Sequence, residues 1–288
     1  QLDHVETFRP RVSVLLNITP DHLGRYDHDF EAYAQAKHNI FRNQGEGDVV
    51  VYNRDDDDVR DAVEEAAAEQ GVRPMAITRE GVPAAGAGFR DGRIVLRTDD
   101  EDDSLMPQDE LALRGRHNMY NSLAAAVSAR VMEVENDVIR ESLSGFEGVP
   151  HRLEEVRTVD DVLYVNDSKA TNVNAVWYAL ESFDRPIVLI AGGRDKGNDY
   201  TDLKPLVRDQ VRAVVALGES AEKVERELGG EAPDHSRAET MEDALTQAQR
   251  AAQPGDVVLL SPACSSFDMY ENYEERGDTF RRLAETLL

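Results

Sequence analysis

The chain has 288 residues, 41% of them hydrophobic, and a formal net charge of -25 from 57 acidic and 32 basic residues. This length suits two domains of ordinary size, whereas the charge argues against a nucleic-acid or anionic-membrane partner and the short apolar runs exclude a transmembrane helix. The single cysteine, Cys264, excludes an internal disulfide and suits a reducing cytoplasm, where we expect the protein to act.

The first half of the chain alternates strand-like and helix-like patterns, which predicts an α/β domain. In chain order, we predict a strand at 12–18, a helix at 29–43, a strand at 48–52, a helix at 55–70, strands at 75–78, 93–96 and 111–113, and helices at 118–132 and 138–143. The short strands predict a meander at the edge of a sheet. The acidic stretch 99–103 is predicted to be a solvated hairpin loop.

The second half of the chain is more regular. The segment 148–152 contains a glycine and a proline and resists a continued helix, so we predict two domains, 1–148 and 149–288. Apolar strands then alternate with helices, which predicts a doubly wound, Rossmann-like parallel sheet. The predicted strands are 162–165, 186–191, 213–217 and 256–261, and the helices lie near 174–183, 202–209, 220–228, 241–252 and 278–287.

Three polar loops follow strands of this second sheet, at 166–172, 192–197 and 261–266. Such loops gather along one rim of a parallel sheet, where open α/β folds bind their ligands. We therefore expect the ammonium groups of Lys169 and Lys196, with several hydroxyls, to converge on one small anion. The plainer alternative is that each loop is a connector rich in turn-forming residues. Three such loops together favour the binding site.

Lysine is scarce in this chain, with 5 Lys against 27 Arg. A lysine retained under this bias is expected to do work that a planar guanidinium cannot do, which singles out Lys37, Lys169 and Lys196. Lys204 and Lys223 are predicted to be ordinary surface residues. The acid excess and the lysine scarcity together predict adaptation to high salt, with generic solubilising charge as the alternative.

Two residues of the first half leave alternatives open. Helical spacing places the stem of Lys37 on the apolar stripe of Phe30 and Tyr33, so it is either a snorkelling lysine or a partly desolvated, reactive amine with a lowered pKa. His22 follows a strand and a Pro-Asp turn and is either a metal ligand or a satisfied loop histidine. Asn118 is predicted to be a helix cap.

The sequence argues against three kinds of site: a phosphate-binding loop, a dinucleotide-binding motif and a nucleophilic cysteine. The chain contains no G-x-x-x-x-G-K-[ST] phosphate loop, and the spacing of Gly86, Gly88 and Gly92 fails as a dinucleotide fingerprint. Cys264 has no catalytic partner in a recognisable motif, so we predict a small buried residue rather than a nucleophile.

Taken together, these segments resemble the Mur ligases, and most closely the members that add D-glutamate. The matching stretches are 17–22 with Arg25 and Tyr26, Ala36 and Lys37, 115–118 with Asn121, 150–152, 166–172 and 261–266. The loop Asn-Asp-Ser-Lys-Ala-Thr-Asn, with Ser-Pro-Ala-Cys-Ser-Ser, is specific to the D-glutamate-adding members. The Asp-Asn-Pro-Arg signature of the members that add a diamino acid is missing.

The resemblance implies ATP- and Mg²⁺-dependent amide synthesis in peptidoglycan precursor synthesis. The terminal carboxylate of UDP-N-acetylmuramoyl-L-alanine would be phosphorylated by ATP, and the amino group of D-glutamate would attack the acyl phosphate. The family fold implies that residues 1–148 are the later part of a P-loop-type ATPase domain and that residues 149–288 bind the amino acid. We also expect a monomer.

The resemblance also assigns residues by position. Lys37 would be carbamylated and would serve the metal with His22, and these two residues and Lys169 are the candidate catalytic residues. Asn118 and Asn121 would contact the adenine. The contacts implied for the later half are Arg152 and Asp167 with the ribose and phosphates, Thr171 and Lys196 with one carboxylate of D-glutamate, and Ser266, Phe267 and Tyr273 with the other, with Lys169 close by.

Two departures from the family and three alternatives qualify this interpretation. Arg194 stands where some members carry an acidic residue, which leaves the contacts of Lys196 open. The chain opens at Gln1 without a phosphate loop, so we expect an N-terminally truncated piece that turns over no ATP by itself. The alternatives are a folylpolyglutamate synthase-like ligase, which would prefer L-glutamate, a non-catalytic nucleotide- or amino-acid-binding module, and a plain structural domain.

Overall fold

Each half of the chain folds around one six-stranded sheet. The computed structural model describes residues 1–20, 23–98, 101–113 and 115–287. The chain divides into two compact units, Gln1–Glu147 and Gly148–Leu288. Within the described residues, no helix is both long and apolar enough to cross a membrane.

In the first unit, the strands lie in the sheet in their order along the chain. They are β1 Val12–Leu15, β2 Val49–Asn53, β3 Arg73–Ile77, β4 Gly86–Arg90, β5 Arg93–Arg97 and β6 Asp102–Pro107. The pairs from β1 to β4 are parallel, and β4, β5 and β6 pair antiparallel. The helices are α1 Phe30–His38, α2 Asp57–Gln70, α3 Arg116–Val131 and α4 Asn136–Gly145.

Helices cover both faces of this first sheet. Leu123 and Val127 of α3 pack in the core layer on one face, and Val59 and Val63 of α2 pack in the layer on the other. The strand β2 is buried throughout, as a continuous apolar run in a parallel sheet should be. Helix α2 begins where the Asp56 side chain accepts a hydrogen bond from the Val59 amide.

The edge of the first sheet differs from the prediction. β4 was not predicted, because its glycines are typical of turns; a Cβ at Gly86 would lie 1.8 Å from the Ala76 carbonyl oxygen, so glycine allows the close strand pairing. β6 begins at Asp102, inside the stretch predicted to be a loop, of which 99 and 100 lie outside the described residues. Asp102 pairs with Arg90 and Arg97, and these guanidinium groups lower its pKa to about 2. The strand predicted at 111–113 is wrong, since no strand forms there.

The second unit contains the predicted doubly wound sheet, with strand order β11-β10-β9-β12-β8-β7. The strands are β7 Glu154–Val159, β8 Val162–Asn166, β9 Ile187–Ala191, β10 Val211–Leu217, β11 Asp234–Ala238 and β12 Val257–Leu260. All pairs are parallel except β7 with β8. The helices are α5 Val173–Glu181, α6 Lys204–Gln210, α7 Ala221–Glu227, α8 Met241–Ala251 and α9 Tyr273–Glu285.

Two apolar layers enclose the central strands of this second sheet. Leu189 and Leu259 point to the layer that contains Leu180 and Val207, and the opposite faces of the same strands point to the layer that contains Phe280. The two edge strands, β7 and β11, were not predicted. Both are largely polar and partly exposed, which suits strands at the edge of a sheet.

Candidate functional site

The carboxyl ends of three neighbouring parallel strands, β9, β12 and β8, lie side by side in the second unit. The loops that leave these ends are 167–172, 192–200 and 261–272, the last of which begins with the predicted stretch 261–266. The expected gathering of three polar loops at one edge of the sheet is therefore present in the structure. This edge is where open parallel sheets bind ligands.

Hydrogen bonds join the three loops to one another. The Ser261 hydroxyl donates to Asp167 Oδ2 at 2.8 Å, which links the loops after β12 and β8. The Gly192 amide donates to the Pro262 carbonyl at 2.9 Å, which links the loops after β9 and β12. A Cβ at Gly193 would lie 2.4 Å from the Ser265 carbonyl oxygen, so only glycine permits this approach. The loops form one connected structure.

Asp167 is a buried carboxyl group within this edge. It is 5% exposed and accepts hydrogen bonds from the Ser261 hydroxyl and, at 3.2 Å, from the Leu153 amide. Burial raises the pKa of Asp167 to about 7, because desolvation outweighs these two hydrogen bonds and the positive charge of Arg152. Arg152 itself is exposed. The group therefore changes its charge near neutral pH.

Lys169 is held between the start of the unit and α9. Its amide donates to the His151 carbonyl oxygen at 3.0 Å, and its Nζ lies 5.5 Å from the centre of the Tyr273 ring. The Tyr273 ring in turn packs edge-on against the buried His151 ring, with 6.0 Å between the ring centres. The ammonium group thus lies over an aromatic face, an arrangement that stabilises a cation.

The other residues assigned to D-glutamate lie on the same three loops or beside them. Thr171 is half-buried, and its amide donates to the Lys169 carbonyl oxygen at 2.9 Å. Lys196 is exposed, Ser266 is 2% exposed, and Phe267 is 59% exposed. The structure thus brings these loops together and leaves one ammonium group and one aromatic ring open to solvent.

Lys223 stabilises the loop that carries Lys196 by binding two of its residues. Its Nζ donates to Asp195 Oδ2 at 2.9 Å and to the Asn198 carbonyl oxygen at 2.6 Å, and it lies 5.6 Å from the centre of the Tyr200 ring. The prediction that Lys223 is an ordinary surface residue is therefore wrong. Its partners are 25 and 28 residues away in sequence, so local spacing gave no signal of them.

We expect the substitution Lys223→Met to destabilise the second unit by about 1 kcal/mol, because the Asp195 carboxylate and a loop carbonyl lose a charged donor. In a double-mutant cycle with Asp195→Asn, the coupling energy should be about 1 kcal/mol, measured by urea unfolding and the fluorescence of Trp177, the only tryptophan. Lys204→Met serves as the control and should show no coupling with Asp195→Asn. Additive costs of Lys223→Met and Asp195→Asn would contradict the role of Lys223.

Arg276 is a second residue that the sequence interpretation missed. It lies in the first turn of α9 and is 2% exposed. Its Nε donates to the Ser168 hydroxyl at 2.9 Å, and its Nη2 donates to the carbonyl oxygens of Ser168, at 2.8 Å, and Cys264, at 3.1 Å. One guanidinium group therefore bridges the loops after β8 and β12.

Cys264 is a small buried residue, as predicted. It is 1% exposed, and its sulfur lies 3.4 Å from the Tyr200 and Ser220 hydroxyls. Burial raises the pKa of its thiol, which disfavours the nucleophilic thiolate.

In the first unit, the structure places Lys37 on the predicted stripe. Its Nζ lies 5.2 Å from the centre of the Tyr33 ring, and the side chain is half-buried. His22 lies outside the described residues. Asn118 is buried inside α3 and accepts a hydrogen bond from Asn121 Nδ2 at 3.2 Å. The prediction that Asn118 caps this helix is wrong, because the N-cap is Gly115.

Comparison with known proteins gives a family for both units. The family model for the Mur ligase middle domain matches residues 1–129, and the model for the Mur ligase, glutamate ligase domain matches residues 151–264. The chain belongs to the Mur ligase family. A UDP-N-acetylmuramoylalanine–D-glutamate ligase of Salinibacter ruber is 99% identical over all 288 residues, and one of Porphyromonas gingivalis is 45% identical over 98% of the chain. The chain spans 63% and 62% of these relatives' lengths.

Solved structures of MurF and FolC share the fold. MurF from Acinetobacter baumannii superposes with a TM-score of 0.69 at 20% identity, covering 95% of this chain and 60% of MurF. Escherichia coli FolC in complex with DHPP and ADP superposes with a TM-score of 0.68 at 16% identity, covering 96% of this chain and 62% of FolC. At these identities the likeness extends to the fold alone.

Proposed function

We propose that the chain is part of a ligase that joins D-glutamate to UDP-N-acetylmuramoyl-L-alanine at the expense of ATP, as part of peptidoglycan precursor synthesis. The observation that supports the proposal most directly is the 99% identity, over all 288 residues of this chain, to a relative of that name. The connected edge formed by the loops after β8, β9 and β12 supports it, because ammonium groups and hydroxyls there suit a small dicarboxylate.

The proposed reaction has two steps. The terminal carboxylate of the nucleotide-linked substrate takes the γ-phosphoryl group of ATP, which gives an acyl phosphate and ADP. The neutral amino group of D-glutamate then attacks the acyl carbon, the amide bond forms, inorganic phosphate leaves, and the nitrogen loses its proton. The role of the described loops is to hold D-glutamate by its carboxylates so that its amino group is presented to the acyl carbon.

For D-glutamate, we propose that Lys196 and Thr171 bind one carboxylate and that Ser266, Phe267 and Tyr273 surround the other. The exposed Lys196 is available to an incoming anion, because Lys223 rather than Lys196 neutralises the adjacent Asp195. Lys169, over the Tyr273 ring, would contribute a second ammonium group. These positions support recognition of a ligand with two negative groups.

For the nucleotide, we propose contacts in each unit separately. In the second unit, Arg152 is exposed and suits a phosphate, and Asp167 suits a ribose hydroxyl as an acceptor when it is ionised. In the first unit, Asn118 and Asn121 are one helical turn apart and hydrogen-bonded to each other, and their amides suit the edge of an adenine ring.

The Mg²⁺ expected for such a ligase finds few ligands among the described residues. No group of three or more histidine, cysteine, aspartate and glutamate side chains suited to a metal occurs in the described ranges, and His22 falls in the gap after residue 20. A carbamate on Lys37 would add one carboxylate. The described residues alone therefore do not complete a magnesium site.

Titration with the two enantiomers of glutamate tests the proposed function. We expect ¹³C-labelled D-glutamate to bind the chain with a Kd at least about tenfold lower than that of L-glutamate, measured by NMR at high salt. The variant Lys196→Met should lose this binding, whereas Lys204→Met should retain it. A preference for L-glutamate would instead indicate a folylpolyglutamate synthase-like ligase, and no binding of either enantiomer would contradict the amino-acid site.

We further propose a cytoplasmic monomer that acts on small molecules and is adapted to high salt. The net charge of -25 and the use of 27 Arg against 5 Lys support the salt adaptation, because dense carboxylates keep a surface hydrated. Light scattering after size exclusion tests the monomer. The free energy of unfolding, measured in low and in molar salt, tests the adaptation. It should increase with the salt concentration.

A further inference from the structure

Arg276 is a buried cation without an anionic partner. Among the described residues it forms no ion pair. The hydrogen bonds of its side chain go to the Ser168 hydroxyl and to the carbonyl oxygens of Ser168 and Cys264. The Asp268 carboxylate is close enough to raise the pKa of Arg276, but it forms no ion pair with the guanidinium group. It instead accepts a hydrogen bond from the Glu219 amide at 2.8 Å. Burial of a charge without a counter-ion costs free energy of folding, so a contribution to stability does not explain this residue.

One end of the Arg276 guanidinium group has no partner. Nη1 is buried and donates no hydrogen bond within the described residues. It faces the loop after β9, since a Cβ at Gly193 would lie 3.1 Å from it. The guanidinium group therefore bonds to two loops of the candidate site, through Ser168 and Cys264, and faces the third at Gly193. Burial lowers the pKa of Arg276 to about 10, so the group keeps its charge at neutral pH.

We propose that Arg276 is a positioning residue whose charge, held in no ion pair and placed beneath the three loops, makes the site selective for an amino acid with two carboxylates over its neutral amide analogue. The inference rests on the proposed D-glutamate site and adds to it the origin of charge selectivity. A protein carboxylate bonded to Arg276 would cancel its positive electrostatic potential. The neutral acceptors hold the guanidinium group in place without neutralising it, so its charge can attract the ligand's carboxylates.

The test compares D-glutamate with D-glutamine, which has nearly the same shape but one negative charge fewer. In the wild-type chain, D-glutamate should bind more tightly. In Arg276→Gln, the ratio of the two affinities should fall roughly tenfold, the effect of one charge about 10 Å away at an effective dielectric constant of about 20. Because both ligands are titrated into the same sample, the ratio does not depend on the folded fraction of the variant.

Arg276→Lys keeps the charge but loses the planar fork. Both affinities should fall while their ratio stays within about twofold of wild type, and Arg276→Met replaces Arg276→Gln as the neutral variant if the latter does not fold. Arg282→Met removes an exposed charge from the same helix and should change neither affinity by more than about twofold. A wild-type ratio in Arg276→Gln, or a tenfold lower ratio in Arg276→Lys, would overturn this inference alone. Absence of D-glutamate binding to the wild-type chain would overturn the proposed function and this inference with it.

Discussion

Replacement of Asp167 by asparagine is expected to stabilise the second unit, and increasingly so as the pH rises. The pKa of Asp167 is about 7 in the folded protein and 3.8 in the ordinary, unburied state. Between these values the folded state binds the extra proton, so wild-type stability falls as pH rises from about 4 to about 7. Asparagine cannot ionise, and the variant should exceed wild type by about 2 kcal/mol at pH 5 and about 4 kcal/mol at pH 8.

Urea unfolding followed by Trp177 fluorescence measures this difference, because the only tryptophan lies in α5 of the second unit. Asparagine has the shape of aspartate and can still pair with the Ser261 hydroxyl and the Leu153 amide. The difference between the variant and the wild type therefore measures the effect of the Asp167 charge. The control is Asp202→Asn, at an exposed position, which should show no such pH dependence. A stability gain that is constant between pH 5 and pH 8 would rule out a raised pKa at Asp167.

The substitution Arg212→Met should destabilise the second unit by about 3 kcal/mol, because it leaves the buried Asp256 carboxylate without its cation. Asp256 is 2% exposed, and Arg212 binds both of its oxygens, through Nε at 2.5 Å and Nη2 at 3.1 Å. This pair joins the start of β10 to the start of β12. We expect the Tm of the Trp177 transition to fall by roughly 10 °C.

Two further variants separate the ion pair from general effects of charge. Arg208→Met removes a guanidinium group that is 62% exposed in its pair with Glu231, and it should cost less than about 1 kcal/mol. Adding Asp256→Asn to Arg212→Met should recover part of the lost stability, since no unpaired charge then remains buried. Equal costs for Arg208→Met and Arg212→Met would contradict the importance of burial at Asp256.

The fold of the central strands was predictable because its signal is local. An apolar run such as 162–165, followed by polar turn-forming residues, identifies a buried parallel strand and its ligand-binding loop, and β8 is found at Val162–Asn166. The edge strands β7 and β11 carry no such run. Their pairing depends on the neighbouring strand rather than on their own sequence, so the sequence alone did not reveal them.

Because the predicted start of α9 is wrong, the sequence interpretation does not include Arg276 among the site residues. The helix was predicted to begin at 278 but begins at Tyr273, after Asn272 caps it by accepting a hydrogen bond from the Glu275 amide. The sequence carries a signal for this start, since Asn272 is followed three residues later by Glu275, a pattern typical of a helix N-terminus. With the correct start, helical spacing places Arg276 on the buried face with Phe280, which would have identified it as a buried cation.

The contacts of Lys223 and Arg276 could not be predicted in the same way. Lys223 meets Asp195 across 28 residues, and Arg276 meets Ser168 across 108. Such pairs form only because the parallel sheet brings distant loops to one edge. Single-sequence spacing identifies the loops themselves, but the residues that support them are defined by the tertiary fold.

The burial of Cys264 has a practical consequence for spectroscopy. The chain contains no other thiol, and this one is shielded among Tyr200 and Ser220 hydroxyls and kept protonated. A cysteine engineered at an exposed position, such as the outer face of α8, would therefore react with maleimide dyes ahead of the native residue. Site-selective attachment of fluorophores or spin labels would need no cysteine-free background.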